Sequence, residues 1–295
     1  MFIGRPSNAG LDSAYDDCIA VTVDRPPALL SNADPRAGAP VLLTVNIVAS
    51  PRGASTNSPS IFYAMCGRFA NDAKTDELVR EYVADGGKPE DWWKSWAGAY
   101  SVAPTQNAPI VRDRGEGRIL ELVRWDWQKP ANRPKGGPVI NARMEKLAGG
   151  FWAPAFSAAR CIVPMRGYFE WTGEKTPKTP HFLHGDGLLS AAGLTWSMEL
   201  PNGEKSRCFV VITREARDAS GEVHDRMPAF LTPDTWDAWL TPEKLTGDRK
   251  TETLAMLEHT SSNVASTIRE HIVDRKVSNS RTVDPTDPTL LEPVA

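Results

Sequence analysis

Ile119-Leu120-Glu121-Leu122-Val123-Arg124-Trp125-Asp126-Trp127 reads as a β-strand, because its residues alternate in character with a period near two. Similar signals flank it. Cys208–Thr213 is a short apolar run rich in β-branched residues, suited to a buried strand. His181–Leu183 and Leu188–Ala192, joined through Gly185-Asp186-Gly187, predict a hairpin. Helical signals are fewer. Asp72 or Thr75 is placed to cap a helix with Leu78, Val79, Tyr82 and Val83 on one face and Gly86-Gly87 as its stop. Thr232–Leu240 carries Trp236 and Trp239 on neighbouring helical faces, and Glu252–His259 predicts one more short helix. Strands outnumber helices and do not alternate with them. The expected fold class is therefore α+β: one antiparallel β-rich domain with peripheral helices.

Composition narrows the function classes. The chain has 295 residues, 41% of them hydrophobic, enough for a sizeable core. Its net charge is −3, and the first 64 residues hold four basic against five acidic side chains. That balance argues against coating duplex DNA through bulk charge, so any nucleic-acid contact is a local patch. One candidate is Lys129, Arg133, Lys135, Arg143 and Lys146, laced with Trp125 and Trp127. Cations follow phosphates and rings stack on bases in a single-strand groove. Four scattered cysteines give no disulfide framework and no CxxC pair, and a reducing, cytoplasmic compartment follows. His181, His184, His259 and His271 show no ligand spacing, so neither a metal nor a cofactor is expected. No apolar run reaches the ~18–20 residues of a membrane span. Pro40–Ser50 has the length of a signal core but lies far from the start and lacks a basic lead.

The chemistry concentrates at Met65-Cys66-Gly67-Arg68-Phe69. Methionine is trimmed when the next side chain is small, and cysteine is small. A terminal cysteine carries an α-amine and a thiol on adjacent carbons. The amine has a reference pKa of about 7.7–8.0, so part of it is neutral at physiological pH. Such an aminothiol condenses with an aldehyde to an imine, and the thiol then closes a thiazolidine ring. An internal cysteine cannot, because its nitrogen is an amide. On its own, a Met-Cys pair reads as a structural cysteine at a strand start.

An ordered series follows it: Ala103-Pro104-Thr105-Gln106, Arg124-Trp125, Asn141-Ala142-Arg143-Met144-Glu145, and Arg160-Cys161-Ile162-Val163-Pro164 leading into Gly167-Tyr168-Phe169-Glu170-Trp171. Ala192-Gly193-Leu194-Thr195-Trp196 and His224-Asp225-Arg226-Met227-Pro228 complete it, with Val277-Ser278-Asn279 and Leu290-Leu291-Glu292-Pro293 at the close. This set resembles the SRAP family, the abasic-site processing proteins once described as SOS-response-associated peptidases. Asp126-Trp127 departs from the Gly-Leu usual in that family. Residues 1–64 resemble nothing in it. They are read as a loosely ordered extension or as translated sequence upstream of a true start at Met65, with 65–295 as the SRAP domain.

The resemblance implies one pocket holding Cys66, Asn141, Glu170 and His224 as catalytic residues. Cys66 supplies amine and thiol. Glu170, between Phe169 and Trp171, has an apolar setting that raises a carboxyl pKa and suits proton shuttling. His224 belongs to the residue type that changes charge near neutral pH. Asn141 is a neutral donor and acceptor. Arg68, Pro104, Trp125, Arg143, Trp171 and Arg226 form the expected DNA-facing set, with Arg68 and Arg143 gripping phosphates. The implied partner is single-stranded DNA containing abasic sites, met by a cytoplasmic monomer that joins the nucleoid during DNA damage. The implied activity is a covalent thiazolidine crosslink, with β-elimination at the Schiff-base stage as a side path. Two alternatives stand beside it. One is a thiol autopeptidase in which Cys66, His224 and Glu170 cleave before Cys66. The other is a single-strand binding module that forms no bond.

Overall fold

The computed structural model describes residues 66–83, 96–127, 138–174, 176–199, 203 and 205–294. The expectations for residues 1–64, for the Gly86-Gly87 stop and for Lys129, Arg133 and Lys135 lie outside the described residues.

Eleven strands share one mixed sheet. Its long members are β3 (Asn107–Asp113), β4 (Arg118–Trp125), β6 (Arg160–Thr172), β7 (Thr179–Glu199) and β8 (Lys205–Glu215). They run β7-β8-β4-β3-β6, and β6 pairs β7 again, so five strands close into a ring. Pairing is mainly antiparallel. The parallel exceptions are β4 with β8, and β5 (Asn141–Arg143) with β8. β1 (Phe69–Asn71) pairs β6 and β2 (Ala99–Val102), β9 (Arg226–Pro228) pairs β8, and β10 (Phe230–Leu231) and β11 (Arg269–Ile272) pair β7. The helices are α1 (Thr75–Tyr82), α2 (Ala153–Ala158), α3 (Asp218–Val223), α4 (Trp236–Leu240) and α5 (Asp248–Ala265). The α+β expectation holds.

Alternation sorts side chains onto two core layers. On one face Val111, Ile162, Leu194 and Val210 pack with Leu78, Phe156 and Trp239 from α1, α2 and α4. On the other, Ile110, Val163, Phe209 and Val211 surround Trp125, Tyr168 and Cys66. Burying each such side chain contributes about 1.5–3 kcal/mol. The second layer carries the site, because Cys66 and Glu170 enter from that side at the end of β6.

Three local expectations are corrected. The segment from His181 to Ala192 is no hairpin, since both halves pair with β6. Gly167 faces His184 and Met165 faces Leu189, so β7 advances five residues while β6 advances two. Gly185-Asp186-Gly187 lies in an extended bulge of β7 instead of a reversal. Gly167 is needed beside it, because a methyl there would collide with the Leu183 carbonyl oxygen and the Phe182 ring. Neither Asp72 nor Thr75 caps α1, whose N-cap is Lys74 without a side-chain bond. The helix forms because Leu78 and Tyr82 are buried, with the Tyr82 hydroxyl 2.9 Å from Ser190 Oγ. The short helix expected at Glu252–His259 is the middle of the 18-residue α5. Its C-terminal part is held through Thr260 and Ser261, whose hydroxyls bond the Phe230 backbone.

Candidate active site

Cys66 precedes β1 and is 4% exposed. Its backbone nitrogen donates to Glu170 Oε1 at 2.7 Å, and its thiol lies 3.8 Å from the Arg226 carbonyl oxygen. Its φ is +46°, the left-handed region that costs an L-residue roughly 1–2 kcal/mol. Burial pushes the thiol well above its ordinary pKa, and the Glu170 charge adds to that. The sulfur is therefore a protonated thiol at neutral pH.

Glu170 is held near the end of β6, opposite His181 on β7 and flanked by Phe169 and Trp171. Burial pushes its carboxyl up, while the His224 charge and the bonds from Cys66 pull it partly back. His224 follows α3. Its Nδ1 is 2.8 Å from Asp225 Oδ1 and 3.1 Å from the Arg226 amide nitrogen. The Nδ1 atom can serve only one of these contacts at a time, as acceptor from the amide or as donor to Asp225.

A cavity of about 630 Å³ opens beside Glu170 and His224, lined also by Gly67, Arg68, Trp171 and Lys178, while Cys66 is buried and outside its described lining. Arg68 is buried. Its Nη1 donates to Ser101 Oγ at 3.0 Å and to the Val277 carbonyl at 2.8 Å, and its guanidinium sits 5.9 Å from the Trp171 ring centre. Its buried Nε has no hydrogen-bond partner among the described residues. Burial pulls its pKa down to about 10, so it stays charged at neutral pH with no carboxylate among its contacts. Trp171 Nε1 donates to Ser278 Oγ at 3.0 Å.

Arg143 and Arg226 line a neighbouring cavity of about 840 Å³, with Arg214, Arg217 and Asp225. Arg226 Nη2 reaches Glu145 at 3.0 Å and the Thr213 carbonyl at 2.7 Å. The chain His224-Asp225-Arg226 thus passes from one cavity wall to the other. Asn141 is half-buried on β5, paired with Val211, and outside the described lining of both cavities. Pro104 is half-buried in the turn after β2, also outside both.

Trp125 is corrected outright. It is 0% exposed, donates from Nε1 to the Ile140 carbonyl at 2.9 Å, and packs edge-on to Phe69 at 4.9 Å. A ring so enclosed is core and presents no face to a base. Sequence reasoning missed Tyr168, whose hydroxyl is 2.7 Å from Ser220 Oγ and whose pKa burial raises well above the usual value. It also missed Lys178 and Arg275, which line the cavity. Tyr168 lies in a quoted motif, but the two cations carry no pattern that marks them. Among the described residues no group of three or more His, Cys, Asp or Glu is placed to hold a metal. No described helix is long and apolar enough to cross a membrane.

Residues 65–280 match the family described as SRAP, SOS response associated peptidase. The chain belongs to the SRAP family. It is 31% identical over 192 residues to the abasic site processing protein YoqW of Bacillus subtilis, covering 62% of this chain and 84% of that one. It is 28% identical over 186 residues to the abasic site processing protein YedK of Escherichia coli, covering 61% and 81%. The abasic site processing protein HMCES of Xenopus tropicalis is 26% identical over 266 residues, covering 75% and 77%. Among solved structures, a Bacteroides thetaiotaomicron protein shares the SRAP chain's fold at a TM-score of 0.61 and 20% identity, over 78% of this chain and all of that one. A phage-related protein of Bordetella bronchiseptica gives 0.56 at 21% identity, over 70% and 94%.

Proposed function

We propose that this SRAP protein processes abasic sites in single-stranded DNA by forming a thiazolidine through a terminal Cys66. The observation that carries the reading is the 2.7 Å bond from the Cys66 nitrogen to Glu170. It sets the carboxylate beside the atom that becomes nucleophilic once residues before it are removed. The ring-opened sugar presents an aldehyde at C1′. The neutral amine attacks that carbon, and the adduct loses its hydroxyl as water with a proton from Glu170 or His224. The thiol then adds to the imine carbon, and its proton ends on the ring nitrogen. Aldehyde and aminothiol give thiazolidine and one water. A protonated, buried thiol suits this order, because the amine and not the sulfur begins the reaction. Arg68 stays cationic beside Trp171, a pairing fit for a phosphate and a base. Asn141 and Arg143 belong to the proposed set through the family motif.

A second reading, self-cleavage before Cys66, is favoured by the positive φ of Cys66, since breaking the preceding bond releases that strain. Against it, the thiol is shifted away from thiolate and its contacts are the Arg226 carbonyl and the Glu170 carboxylate, not an imidazole.

The test incubates protein beginning at Cys66 with uracil-excised single-stranded DNA and runs a denaturing gel. A heat-stable adduct is expected. Its absence with correctly folded protein overturns the crosslinking function.

A further inference from the structure

The cavity beside Glu170 and His224 carries more positive charge than its walls neutralise. Arg68, Lys178 and Arg275 line it, and Glu170 is the one carboxylate in its described lining. That carboxylate is already engaged by the Cys66 nitrogen at 2.7 Å.

Two guanidinium groups stand out. Arg68 is 5% exposed. Its Nη1 serves both Ser101 and the Val277 carbonyl, while its Nε and Nη2 bond nothing among the described residues. Nε and Nη2 form one edge of the fork, the kind of edge that grips a carboxylate or phosphate by two parallel bonds. A buried charged donor without a protein acceptor is costly, and an anion at that edge would satisfy it. Arg275 opens the 3-10 turn Arg275–Ser278. It is exposed and makes no hydrogen bond or ion pair among the described residues. Its neighbour Lys276 is the opposite case, with Nζ 2.8 Å from Asp287 and no place in the described lining. Two bonds fix the turn at the cavity: Arg68 Nη1 to the Val277 carbonyl at 2.8 Å, and Trp171 Nε1 to Ser278 Oγ at 3.0 Å. Arg68, Trp171 and Arg275 therefore share one corner. Arg68 is also two residues beyond Cys66, at most ~7 Å of extended chain. An anion held at that corner is close to the reacting terminus.

We propose that Arg275 is a substrate-binding residue that closes, with the open Nε–Nη2 edge of Arg68, on a backbone phosphate directly flanking the abasic sugar. The inference rests on the reading of this site as one that processes abasic DNA, and adds what the site recognises. Guanidinium forks match phosphate oxygens bidentately, and Lys178 adds charge without a directed fork. The site then reads the charged linkage beside the lesion as well as the aldehyde. A lesion whose bound linkage is neutral becomes a poor ligand.

The test measures binding by fluorescence anisotropy, with the full chain and with protein beginning at Cys66. The probes are single strands carrying tetrahydrofuran, an abasic analogue without an aldehyde, so no covalent step intervenes. One strand is all phosphate, and two carry a neutral methylphosphonate at the linkage 5′ or 3′ of the analogue. Arg275→Gln should weaken binding of the all-phosphate strand about fivefold, the upper end for an exposed ion pair. Its salt slope should fall by about 0.7. At one of the two linkages, the methylphosphonate penalty should be about fivefold smaller in Arg275→Gln than in wild type, because the lost contact is the same one. At the other linkage the penalties should be equal. Arg275→Lys, which keeps the charge without the fork, should fall between. Lys276→Gln removes the same charge one residue away and should leave both penalties at their wild-type values. Equal penalties at both linkages in Arg275→Gln and wild type, in both protein forms, overturn the proposal. So does a Lys276→Gln effect as large as that of Arg275→Gln. Because the analogue cannot crosslink, failure of the thiazolidine reading leaves this measurement intact. Conversely, heat-stable adduct on a true abasic strand with unchanged affinity in Arg275→Gln removes this contact and keeps the crosslink.

Discussion

The Cys66 nitrogen and the Glu170 carboxylate meet at 2.7 Å across 104 residues of sequence, with both residues buried and Glu170 at the wall of the cavity. The bond offsets part of the cost of burying the carboxylate. Glu170 is buried with its carboxyl still pushed up, a cost the fold carries beside the atom at which the proposed mechanism needs proton transfer.

Glu170→Gln should keep the fold and slow adduct formation by ~10²–10⁴, because the amide accepts the Cys66 bond but cannot transfer a proton. Stability should move the other way. A carboxyl raised in the folded state binds its proton more tightly there than in the unfolded chain. Its contribution therefore falls as pH rises from the ordinary carboxylate range through the raised value. At neutral pH the glutamine variant should unfold no earlier than wild type, with the difference vanishing in acid. Unfolding midpoints against pH, alongside gel-shift rates, check both halves. Wild-type kinetics in the variant would make Glu170 structural.

Arg68 and Arg143 should separate in their effects. Arg143 is exposed, so Arg143→Gln should leave stability within about 0.5 kcal/mol while flattening the salt dependence of DNA binding by roughly 0.7. Arg68→Gln should flatten it similarly and also destabilise by about 1–3 kcal/mol, because Ser101 and the Val277 carbonyl lose a buried partner. Denaturant titrations and salt-dependent anisotropy distinguish the two. Unchanged slopes in both variants would remove these arginines from phosphate contact.

Trp125→Ala should cost about 3–5 kcal/mol in unfolding free energy through the cavity it leaves. Trp125→Phe should cost less, and its binding to undamaged single strands should match wild type. A fall in single-strand affinity for a folded Trp125→Phe protein would restore the stacking role that burial denies it.

The strands at Ile119–Trp127 and Cys208–Thr213 were legible because alternation and β-branching report burial directly. Glu170 was legible as a buried acid only through the family motif, because a glutamate in an aromatic strand is more often half-exposed. The bulge at Gly185-Asp186-Gly187 was not, because a turn and a bulge use the same residues and only the shared partner β6 tells them apart. Trp125 shows the same limit. A tryptophan beside arginine looks alike in a groove and in a core, and its Ile140 partner is set by tertiary structure. Arg68 finds the Val277 carbonyl 209 residues away, a distance no local pattern encodes.

The last prediction concerns the state of the Cys66 nitrogen. While Met65 is attached, that nitrogen is an amide with no available lone pair, and the intact full-length chain should form no thiazolidine. Protein beginning at Cys66 should form it readily, since Glu170 already faces the freed amine. Terminal Cys66→Ser keeps the amine but closes the ring poorly. It should give only a transient imine, seen when borohydride is present and lost on heating without it. Terminal Cys66→Ala should behave the same way, which separates the amine's role from the thiol's. A non-covalent binding module would instead show equal, negligible adduct in all four proteins. The deciding sample is full-length chain verified intact by mass spectrometry before and after incubation. If it crosslinks as well as the trimmed protein, the α-amine route fails and another nucleophile must carry the bond. If it trims itself during incubation and His224→Ala prevents that, the exposure of Cys66 belongs to this chain's own peptidase chemistry.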